Sequence, residues 1–395
     1  MKKQTILTAI FALLALTVSA GQPRVKNVIY LIGDGMGFGS VSALLLSQNE
    51  KTGFEYAPVI GLSETCSADN FVTDSPAGGT ALATGIRTRN GYLGVDPEGN
   101  QLTSILRKAQ TMGKRTGIVV NTVLTEATPA AFYGGVKSRK ESLRLAEQFV
   151  ESGVDVAIGS GLSVFVGRPD SVDLTAELIK RGYDVYLDWG ATARSTADRF
   201  VSILPMSDVH RRNKSSNTTA GAAEGAEVCL AAQLAAENGE EPTSGDPTEY
   251  LTRATEKALA TLERTADRNG FFLMIESAII DGYGHNNDSE GMIEEMREFD
   301  RTLQMLVKYV EAHPETLLVV TADHETGGTG VSYRSYEVGG EAPVVLSFST
   351  KGHTGTVVPI FAYGAGAEEF GAIMKNTELP KIIERLINGK KKTKK

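Results

Sequence analysis

The stretch Val28-Ile29-Tyr30-Leu31-Ile32-Gly33-Asp34-Gly35-Met36-Gly37 joins an apolar run to a glycine-rich turn. The run predicts a buried strand, and the glycines predict a tight turn that leads into a helix from about Gly39. A dinucleotide-binding turn has a similar pattern, but Phe38 stands in place of its third glycine and the Asp34 carboxylate would repel a pyrophosphate. Open α/β sheets build their sites at the carboxyl ends of their strands, so Asp34 is better suited to bind a metal.

Apolar strands and amphipathic helices continue to alternate along the chain, without an internal repeat. This alternation predicts an α/β fold in a single large domain, with a mostly parallel central sheet and helices on both faces. The further predicted strands are residues 59–62, 116–121, 154–158, 271–276, 317–321 and 357–363, and the further predicted helices are residues 102–112, 139–152, 173–181, 250–268 and 292–312.

The composition of the 395-residue chain is that of a globular protein, and its 41% hydrophobic content supports a sizeable core. The net charge of -8 argues against a general nucleic-acid-binding surface. Residues 390–395 form a lysine-rich tail, which we expect to be solvated.

The first 20 residues have the three parts of a secretory signal peptide. Met1-Lys2-Lys3 supplies the positive charge, residues 6–18 the apolar run, and Ser19-Ala20 the small residues before cleavage. The apolar run is shorter than the ~20 residues of a membrane-spanning helix, so we expect no membrane anchor after the signal is removed. The mature domain, residues 21–389, is therefore expected in the periplasm or outside the cell. Cys66 and Cys229 allow one internal disulfide at most there, and their pairing stays open.

Residues 211–246 replace the apolar alternation with Asn, Ser, Thr, Ala, Gly and Glu. Strand and helix patterns resume at Tyr250, and candidate site residues fall on both sides. We therefore expect a surface insertion at about residues 205–247 of one domain.

The stretch Thr73-Asp74-Ser75-Pro76 precedes a run of small residues from Ala77 to Ala83. Pro76 suits a first helical position, so Ser75 is expected at or just before a helix N-terminus, where free N–H groups attract anions. Taken alone, Ser75 is best interpreted as an ordinary N-cap. The alternative role for Ser75 is that of a nucleophile. The acids and histidines in other parts of the chain decide between these two roles.

Three of the five histidines lie in acid- or glycine-rich turns next to apolar strands. The acids and histidines so placed are Glu276, Asp281, His285, Asp323, His324 and His353, in addition to Asp34. Since the carboxyl ends of parallel strands meet at one edge, these residues should converge, and so many buried acids need cations. Mixed His and carboxylate ligands suit zinc, and an all-oxygen set suits magnesium. His210 and His313 lack such neighbours and are expected at the surface.

Taken together, the motifs resemble those of the alkaline phosphatases over nearly the whole mature chain. The matching stretches are Ile32-Gly33-Asp34-Gly35-Met36-Gly37, Thr73-Asp74-Ser75, Ala127-Thr128-Pro129-Ala130-Ala131, Ser138-Arg139-Lys140, Glu276 with Asp281 and His285, Ala322-Asp323-His324-Glu325-Thr326-Gly327-Gly328, and Gly352-His353-Thr354-Gly355.

The resemblance implies two zinc ions and one magnesium ion per subunit of a homodimer. By this resemblance Asp281, His285 and His353 are ligands of one zinc, Asp34, Asp323 and His324 are ligands of the other, and Asp34, Thr128 and Glu276 hold the magnesium.

The resemblance also implies hydrolysis of phosphate monoesters at alkaline pH through a phosphoserine, with release of inorganic phosphate. Ser75 matches the nucleophile, which is itself held by a zinc ion. Arg139 matches the arginine that binds the phosphate. Asp74, beside the nucleophile, is expected to orient it and to contribute to substrate binding.

Two positions depart from the best-known members of that family. Glu126 stands where many carry Asp or His, and its longer side chain is expected to change the water shell of the magnesium site. Gly282 follows Asp281 where many carry Lys or His. The missing cation leads to the hypothesis of weaker phosphate retention and faster product release.

Three alternatives stay open. One is a phosphodiesterase or sulfatase of the same superfamily, although Thr128, Glu276 and Arg139 resemble the monoesterase branch. Another is an exported metal- or phosphate-binding protein without activity, although binding alone needs no Ser75. The third concerns the metal, since geometry selects metals and cobalt could replace zinc.

Overall fold

The computed structural model describes residues 24–210, 249–332 and 344–389. The predicted signal peptide, the predicted insertion from residue 211 onward with Cys229, and the basic tail lie outside the described residues. Within them, the strands are β1 (Asn27–Gly33), β2 (Val59–Glu64), β3 (Arg115–Val123), β4 (Val156–Ser160), β5 (Asp184–Tyr186), β6 (Phe200–Leu204), β7 (Phe271–Ser277), β8 (Thr316–Thr321), β9 (Glu325–Thr326), β10 (Thr329–Val331), β11 (Leu346–Phe348), β12 (His353–Thr354), β13 (Val358–Gly364) and β14 (Ile373–Lys375).

The α-helices in the same ranges are α1 (Phe38–Ser47), α2 (Ser75–Thr84), α3 (Ile105–Thr111), α4 (Ala127–Tyr133), α5 (Ser142–Val150), α6 (Leu174–Lys180), α7 (Trp189–Arg194), α8 (Met206–Val209), α9 (Tyr250–Thr265), α10 (Ile279–Asn286), α11 (Ser289–Ala312) and α12 (Leu379–Ile387). None of these helices combines the length and the apolar character that a membrane crossing needs.

Ten strands form one sheet in the order β14-β2-β13-β8-β1-β7-β3-β4-β6-β5. In this sheet β13 runs antiparallel to its neighbours β2 and β8, and the other pairs are parallel. Two small antiparallel pairs, β10 with β11 and β9 with β12, lie outside the large sheet. The predicted mostly parallel sheet in a single domain is confirmed.

Strand β1 is buried along its whole length near the middle of the sheet. Successive side chains of a strand point to opposite faces, so Tyr30 and Ile32 join one hydrophobic core while Ile29 and Leu31 join the other. Residues of α3, α4, α5 and α12 pack in the first core, and residues of α1, α9 and α11 pack in the second. Helices therefore cover both faces of the sheet, as predicted.

The predicted strands all occur within a few residues of their expected positions. The predicted helix 139–152 begins only at Ser142, so Arg139 lies in the turn before it. Elements that were not predicted are β5, β6, β9, β10, β11, β12, β14, α4, α7, α8, α10 and α12. Several of these are short, and α10 contains Gly282 and Gly284, so packing against the sheet stabilises them more than local propensity does.

Candidate active site

The site lies where three central strands end. β1 is between β7 and β8, and Ile32 is in register with Glu276 of β7 and Thr321 of β8. All three strands run parallel, so their carboxyl ends meet at one edge of the sheet. Asp34 follows β1 and Asp323 follows β8 at that edge. The structure thus brings together acids that are far apart in the chain.

Ser75 is the first residue of α2 and is buried. Pro76 follows it within the first turn, but the N-cap is Asp74, whose carboxylate accepts a 3.0 Å hydrogen bond from Ala77 N. The interpretation of Ser75 as the cap is therefore wrong, since Asp74 already satisfies that N–H group. The Ser75 hydroxyl is instead 3.2 Å from Nε2 of His324, a residue 249 positions away.

The glycines of α2 allow this helix to pack directly on the site. A Cβ atom on Gly78 would lie 3.0 Å from the carbonyl oxygen of Asp323, and one on Gly79 would lie 3.0 Å from Cα of Thr128. Larger side chains would push the helix outward. The small residues after Ser75 therefore place its hydroxyl against the ends of neighbouring elements.

Asp34, Asp323 and His324 form a buried group, here called the Asp34 group, whose ligand atoms all lie within 4.8 Å of one another. His324 Nε2 is 3.4 Å from Asp34 Oδ1 and 3.3 Å from Asp323 Oδ2. Neither Asp34 Oδ1 nor Asp323 Oδ2 has a hydrogen-bond partner among the described residues.

Burial, assisted by repulsion from Asp323, raises the pKa of Asp34 well above its ordinary value. Burial, assisted by the nearby His353, lowers the pKa of His324 well below its ordinary value. A neutral imidazole and two carboxylate oxygens without hydrogen-bond partners fit a divalent cation.

Asp281, His285 and His353 form a second group, here called the Asp281 group, with the same 4.8 Å limit on its ligand atoms. His285 Nε2 is 3.3 Å from Asp281 Oδ2 and 3.1 Å from His353 Nε2. The Nδ1 atoms face backbone carbonyls, 2.5 Å from Lys351 O for His285 and 2.9 Å from Thr73 O for His353. A carbonyl only accepts, so each Nδ1 donates and the Nε2 lone pairs of the neutral rings face each other. A cation between them would remove that repulsion.

The carboxyl of Asp281 differs from the buried acids around it. Burial alone would raise its pKa, but the contacts with the imidazole rings of His285 and His353 lower this pKa well below its ordinary value. Burial lowers the pKa of His285, yet the contact with Asp281 outweighs it and raises this pKa overall. Asp281 is therefore the anionic member of its group.

Glu276 and Thr128 offer only oxygen atoms as candidate metal ligands. Both carboxylate oxygens of Glu276 and the hydroxyl of Thr128 are buried without a hydrogen-bond partner in the described part of the chain. Burial raises the pKa of Glu276 well above its ordinary value, and repulsion from the charges of Glu126 and Asp323 adds to this effect. An unpaired buried carboxylate is costly, and hard oxygen donors of this kind fit magnesium.

Arg139 pairs with Glu126, which is the N-cap residue of α4. Burial would lower the pKa of Arg139, but Glu126 and the acids Asp34 and Asp281 raise it overall, so the guanidinium stays charged. Gly91 connects Arg139 to the start of α2, because Arg139 N donates to Gly91 O while Gly91 N donates to Asp74 Oδ2.

The sequence model of the family described as "Alkaline phosphatase" matches residues 25–347, which is most of the chain. The chain belongs to the alkaline phosphatase family. Alkaline phosphatase 3 of Bacillus subtilis is 30% identical in an alignment that covers 92% of this chain and 89% of that protein. The alkaline phosphatase of Escherichia coli K12 is 28% identical in an alignment that covers 92% of this chain and 86% of that protein.

Solved alkaline phosphatases share the fold. The enzyme of the Antarctic bacterium TAB5 is 29% identical, with a TM-score of 0.76 over 93% of this chain and 99% of that chain. A solved variant of the TAB5 enzyme has Mg bound in its M3 site. The cold-active enzyme of a Shewanella species is 25% identical, with a TM-score of 0.75 over 91% of this chain and 99% of that chain.

In this member of the family, the sequence reasoning overlooked one residue at the centre of the site. Thr326 lies within a stretch that matches the family, but the sequence pattern alone indicates no role for it. Its hydroxyl lies 2.5 Å from Asp281 Oδ1 and 3.2 Å from His324 Nδ1. A hydroxyl two residues after a candidate ligand was the only available sequence signal, and the contacts themselves come from the fold.

His210 and His313 lie outside both groups, and both are partly exposed. His313 Nε2 is 2.8 Å from Glu263 Oε1, and its ring stacks on Tyr309 with centroids 4.0 Å apart. His210 is half-buried, with its ring 6.2 Å from that of Tyr283. Glu263, Tyr309 and Tyr283, which these two histidines contact, are not among the candidate metal ligands.

Proposed function

We propose that this chain, as a phosphatase of its family, hydrolyses phosphate monoesters at alkaline pH through a phosphoserine on Ser75 and releases inorganic phosphate. The observation that carries the proposal is the 3.2 Å contact between the Ser75 hydroxyl and His324 Nε2, beside carboxylate oxygens of Asp34 and Asp323 that have no hydrogen-bond partner among the described residues. A nucleophile placed among candidate metal ligands is the arrangement that metal-assisted phosphoryl transfer through a covalent intermediate uses.

The proposed cofactors are two zinc ions and one magnesium ion per subunit. The Asp34 group and the Asp281 group would each hold one zinc, since both mix imidazole and carboxylate donors. Thr128 and Glu276, with Asp34, would hold the magnesium. Magnesium bound in the M3 site of a TAB5 variant supports the presence of a magnesium ion beside the proposed zinc ions. When bound, these cations act as Lewis acids that lower the pKa of the serine hydroxyl and of water and offset charge on phosphate oxygens.

The residues of this chain bind and orient the phosphate. Arg139 would hold two phosphate oxygens in a bidentate fork, in exchange for its present partner Glu126. Asp74 fixes the start of α2, and thereby Ser75, through its hydrogen bonds with Ala77 N and Gly91 N.

The reaction would proceed in two displacements at phosphorus. Ser75 Oγ forms a bond to phosphorus as the bond to the alcohol oxygen breaks, and the alcohol leaves with a proton. A water oxygen then attacks the phosphoserine from the opposite side, the bond from phosphorus to Ser75 Oγ breaks, and the serine regains its proton. Phosphate then leaves Arg139, which returns to Glu126.

We also propose, from the resemblance, that the mature chain is exported to the periplasm or the medium and assembles as a homodimer. Loss of residues 1–20 from the exported protein, measured by intact mass, and the mass of the assembly in solution test these two statements.

The decisive experiment compares wild type with Ser75→Ala on a p-nitrophenyl phosphate ester, in zinc and magnesium at alkaline pH. Activity should fall by about three orders of magnitude or more while metal content is retained. An unchanged rate would overturn the assignment of the nucleophile. Phosphate binding without turnover by wild type would instead indicate a binding protein, and a faster rate on a bis-ester would indicate a diesterase.

A further inference from the structure

Thr326 contacts a candidate ligand from each of the two metal groups. Its side chain is fully buried, and its Oγ1 lies 2.5 Å from Asp281 Oδ1 and 3.2 Å from His324 Nδ1. Asp281 belongs to one group and His324 to the other. A single hydroxyl therefore connects the Asp281 group to the Asp34 group.

The donors and acceptors along this connection follow from the chemistry of the three side chains. A carboxylate that binds a metal is ionised and only accepts, so the single hydroxyl hydrogen of Thr326 must point to Asp281. The hydroxyl oxygen can then only accept from His324, whose Nδ1 must carry the hydrogen. This arrangement selects one tautomer of the imidazole.

The selected tautomer leaves the lone pair on Nε2 of His324. That atom is 3.2 Å from Ser75 Oγ, 3.4 Å from Asp34 Oδ1 and 3.3 Å from Asp323 Oδ2. The lone pair thus points into the candidate metal site beside the nucleophile. The other tautomer would place a hydrogen there and exclude a cation.

Packing holds the Thr326 side chain in this orientation. Thr326 N donates to Gly35 O at 3.1 Å, and across the β9–β12 pair Thr326 is in register with His353. A Cβ on Gly35 would lie 2.9 Å from Thr326 Oγ1, and one on Gly284 would lie 2.8 Å from its Cγ2. The two glycines leave space for the hydroxyl on one side and for the methyl on the other, so the side chain has little freedom to turn.

We propose that Thr326 is a positioning residue that couples the two metal groups, orienting Asp281 in one and setting the tautomer of His324 in the other. This inference rests on the proposed function, because it assumes that both groups bind zinc. Hydrogen bonds to metal ligands typically change metal affinity by about 10–100-fold. Loss of this hydroxyl should weaken both groups, whereas loss of an ordinary outer partner would weaken only one.

The test compares Thr326→Val, which replaces the hydroxyl with a methyl group, and Thr326→Ser, which keeps it. The zinc content and affinity of each protein are measured against a competing chelator. We expect Thr326→Val to lose affinity at both zinc sites by about 10–100-fold, and Thr326→Ser to stay near wild type. Weakening of one site alone, or equal losses in the two variants, would overturn the coupling.

Thr321→Val is the matched control, because Thr321 is also buried near the end of β8 and its hydroxyl donates to Pro359 O at 2.9 Å. It removes a buried hydrogen bond without touching a candidate ligand. Its zinc affinity should equal that of wild type. A loss as large as that of Thr326→Val would show that general destabilisation explains both variants, and would refute the proposal.

Wild-type protein labelled with ¹⁵N-histidine gives a readout that does not depend on a variant folding. The proposal requires the nitrogen chemical shifts of His324 in the zinc-bound protein to show hydrogen on Nδ1. Hydrogen on Nε2 would contradict it. If wild-type protein bound no zinc at all, the proposed function itself would be refuted. If wild type and Thr326→Val both bound zinc normally, only the role of Thr326 would be refuted.

Discussion

Glu126 and Arg139 form an ion pair that joins the start of α4 to the turn before α5. Both side chains are mostly buried, at 9% and 22% exposure. Glu126 Oε1 also accepts a hydrogen bond from Ala127 N, so the carboxylate is held in place from its own helix. Any phosphate that binds Arg139 must therefore compete with a fixed carboxylate.

Replacement of Glu126 with Gln should tighten inhibition by inorganic phosphate. The amide keeps an oxygen for Ala127 N but loses the charge that attracts the guanidinium. A charge-assisted hydrogen bond is worth about 1 kcal/mol or more, so we expect the inhibition constant to fall roughly three- to tenfold. Steady-state inhibition at saturating metal measures this change. Glu147→Gln, which alters the remote pair with Arg168, should leave the constant unchanged. Weaker inhibition in Glu126→Gln would contradict the competition.

Glu276→Gln should remove the stabilisation that magnesium gives to the folded protein. Wild type has a buried carboxylate without a partner, so metal-free protein should gain stability when magnesium is added after chelation. At 100 times the dissociation constant this gain is about 2.7 kcal/mol. Thermal unfolding with and without magnesium measures it, and Glu276→Gln should show little or no gain.

Glu298→Gln removes another buried carboxyl and serves as the control for that experiment. Glu298 lies on α11 outside both metal groups, and its variant should respond to magnesium like wild type. An equal magnesium response in Glu276→Gln would argue against Glu276 as a ligand.

Gly282→Lys tests the hypothesis that a missing cation weakens phosphate retention. A Cβ at Gly282 would meet no atom within 4 Å, so the fold has room for a longer side chain. We expect the added ammonium to lower the inhibition constant for phosphate several-fold and to slow turnover where product release is limiting. Gly282→Ala is the matched control; it should stabilise α10 by up to about 1 kcal/mol without changing inhibition. If Gly282→Lys bound phosphate no more tightly than Gly282→Ala, the hypothesis would be wrong.

Glu298 should make the stability of the folded protein depend on pH. Burial and the charge of Glu295 raise the pKa of Glu298 to about 8, compared with an ordinary value of 4.5. Between these values the folded state holds a proton that the unfolded state has lost, so stability decreases as pH rises from about 4.5 to about 8. Gln cannot lose a proton, and its carbonyl can still accept from Leu251 N.

The melting temperature of Glu298→Gln relative to wild type should therefore increase with pH. Near pH 5 the two proteins should melt together, and near pH 9 the variant should melt at least about 2 °C higher, which corresponds to about 1 kcal/mol. Calorimetry at several pH values measures the difference. Glu290→Gln, an exposed position on the same helix, is the control and should show none. A difference that shrinks with rising pH would exclude the raised pKa as its cause.

The sequence by itself determined the fold class and most of the candidate ligands. Apolar runs such as residues 28–32 are stable only when they are buried. Their alternation with helical patterns predicts a parallel sheet that helices cover on both faces. Asp34 and Asp323 directly follow such runs, so their place at one edge of the sheet follows from strand direction alone. The chemistry of these side chains then favours cations.

Only the tertiary structure decided how the side chains pair. Asp74 rather than Ser75 caps α2, Glu126 pairs with Arg139, and Thr326 reaches Asp281 across 45 positions. These contacts depend on sub-ångström packing, such as the space that glycines leave around a hydroxyl. Residue order and periodicity carry no such distances, because they specify which face of an element is buried but not which atoms meet there.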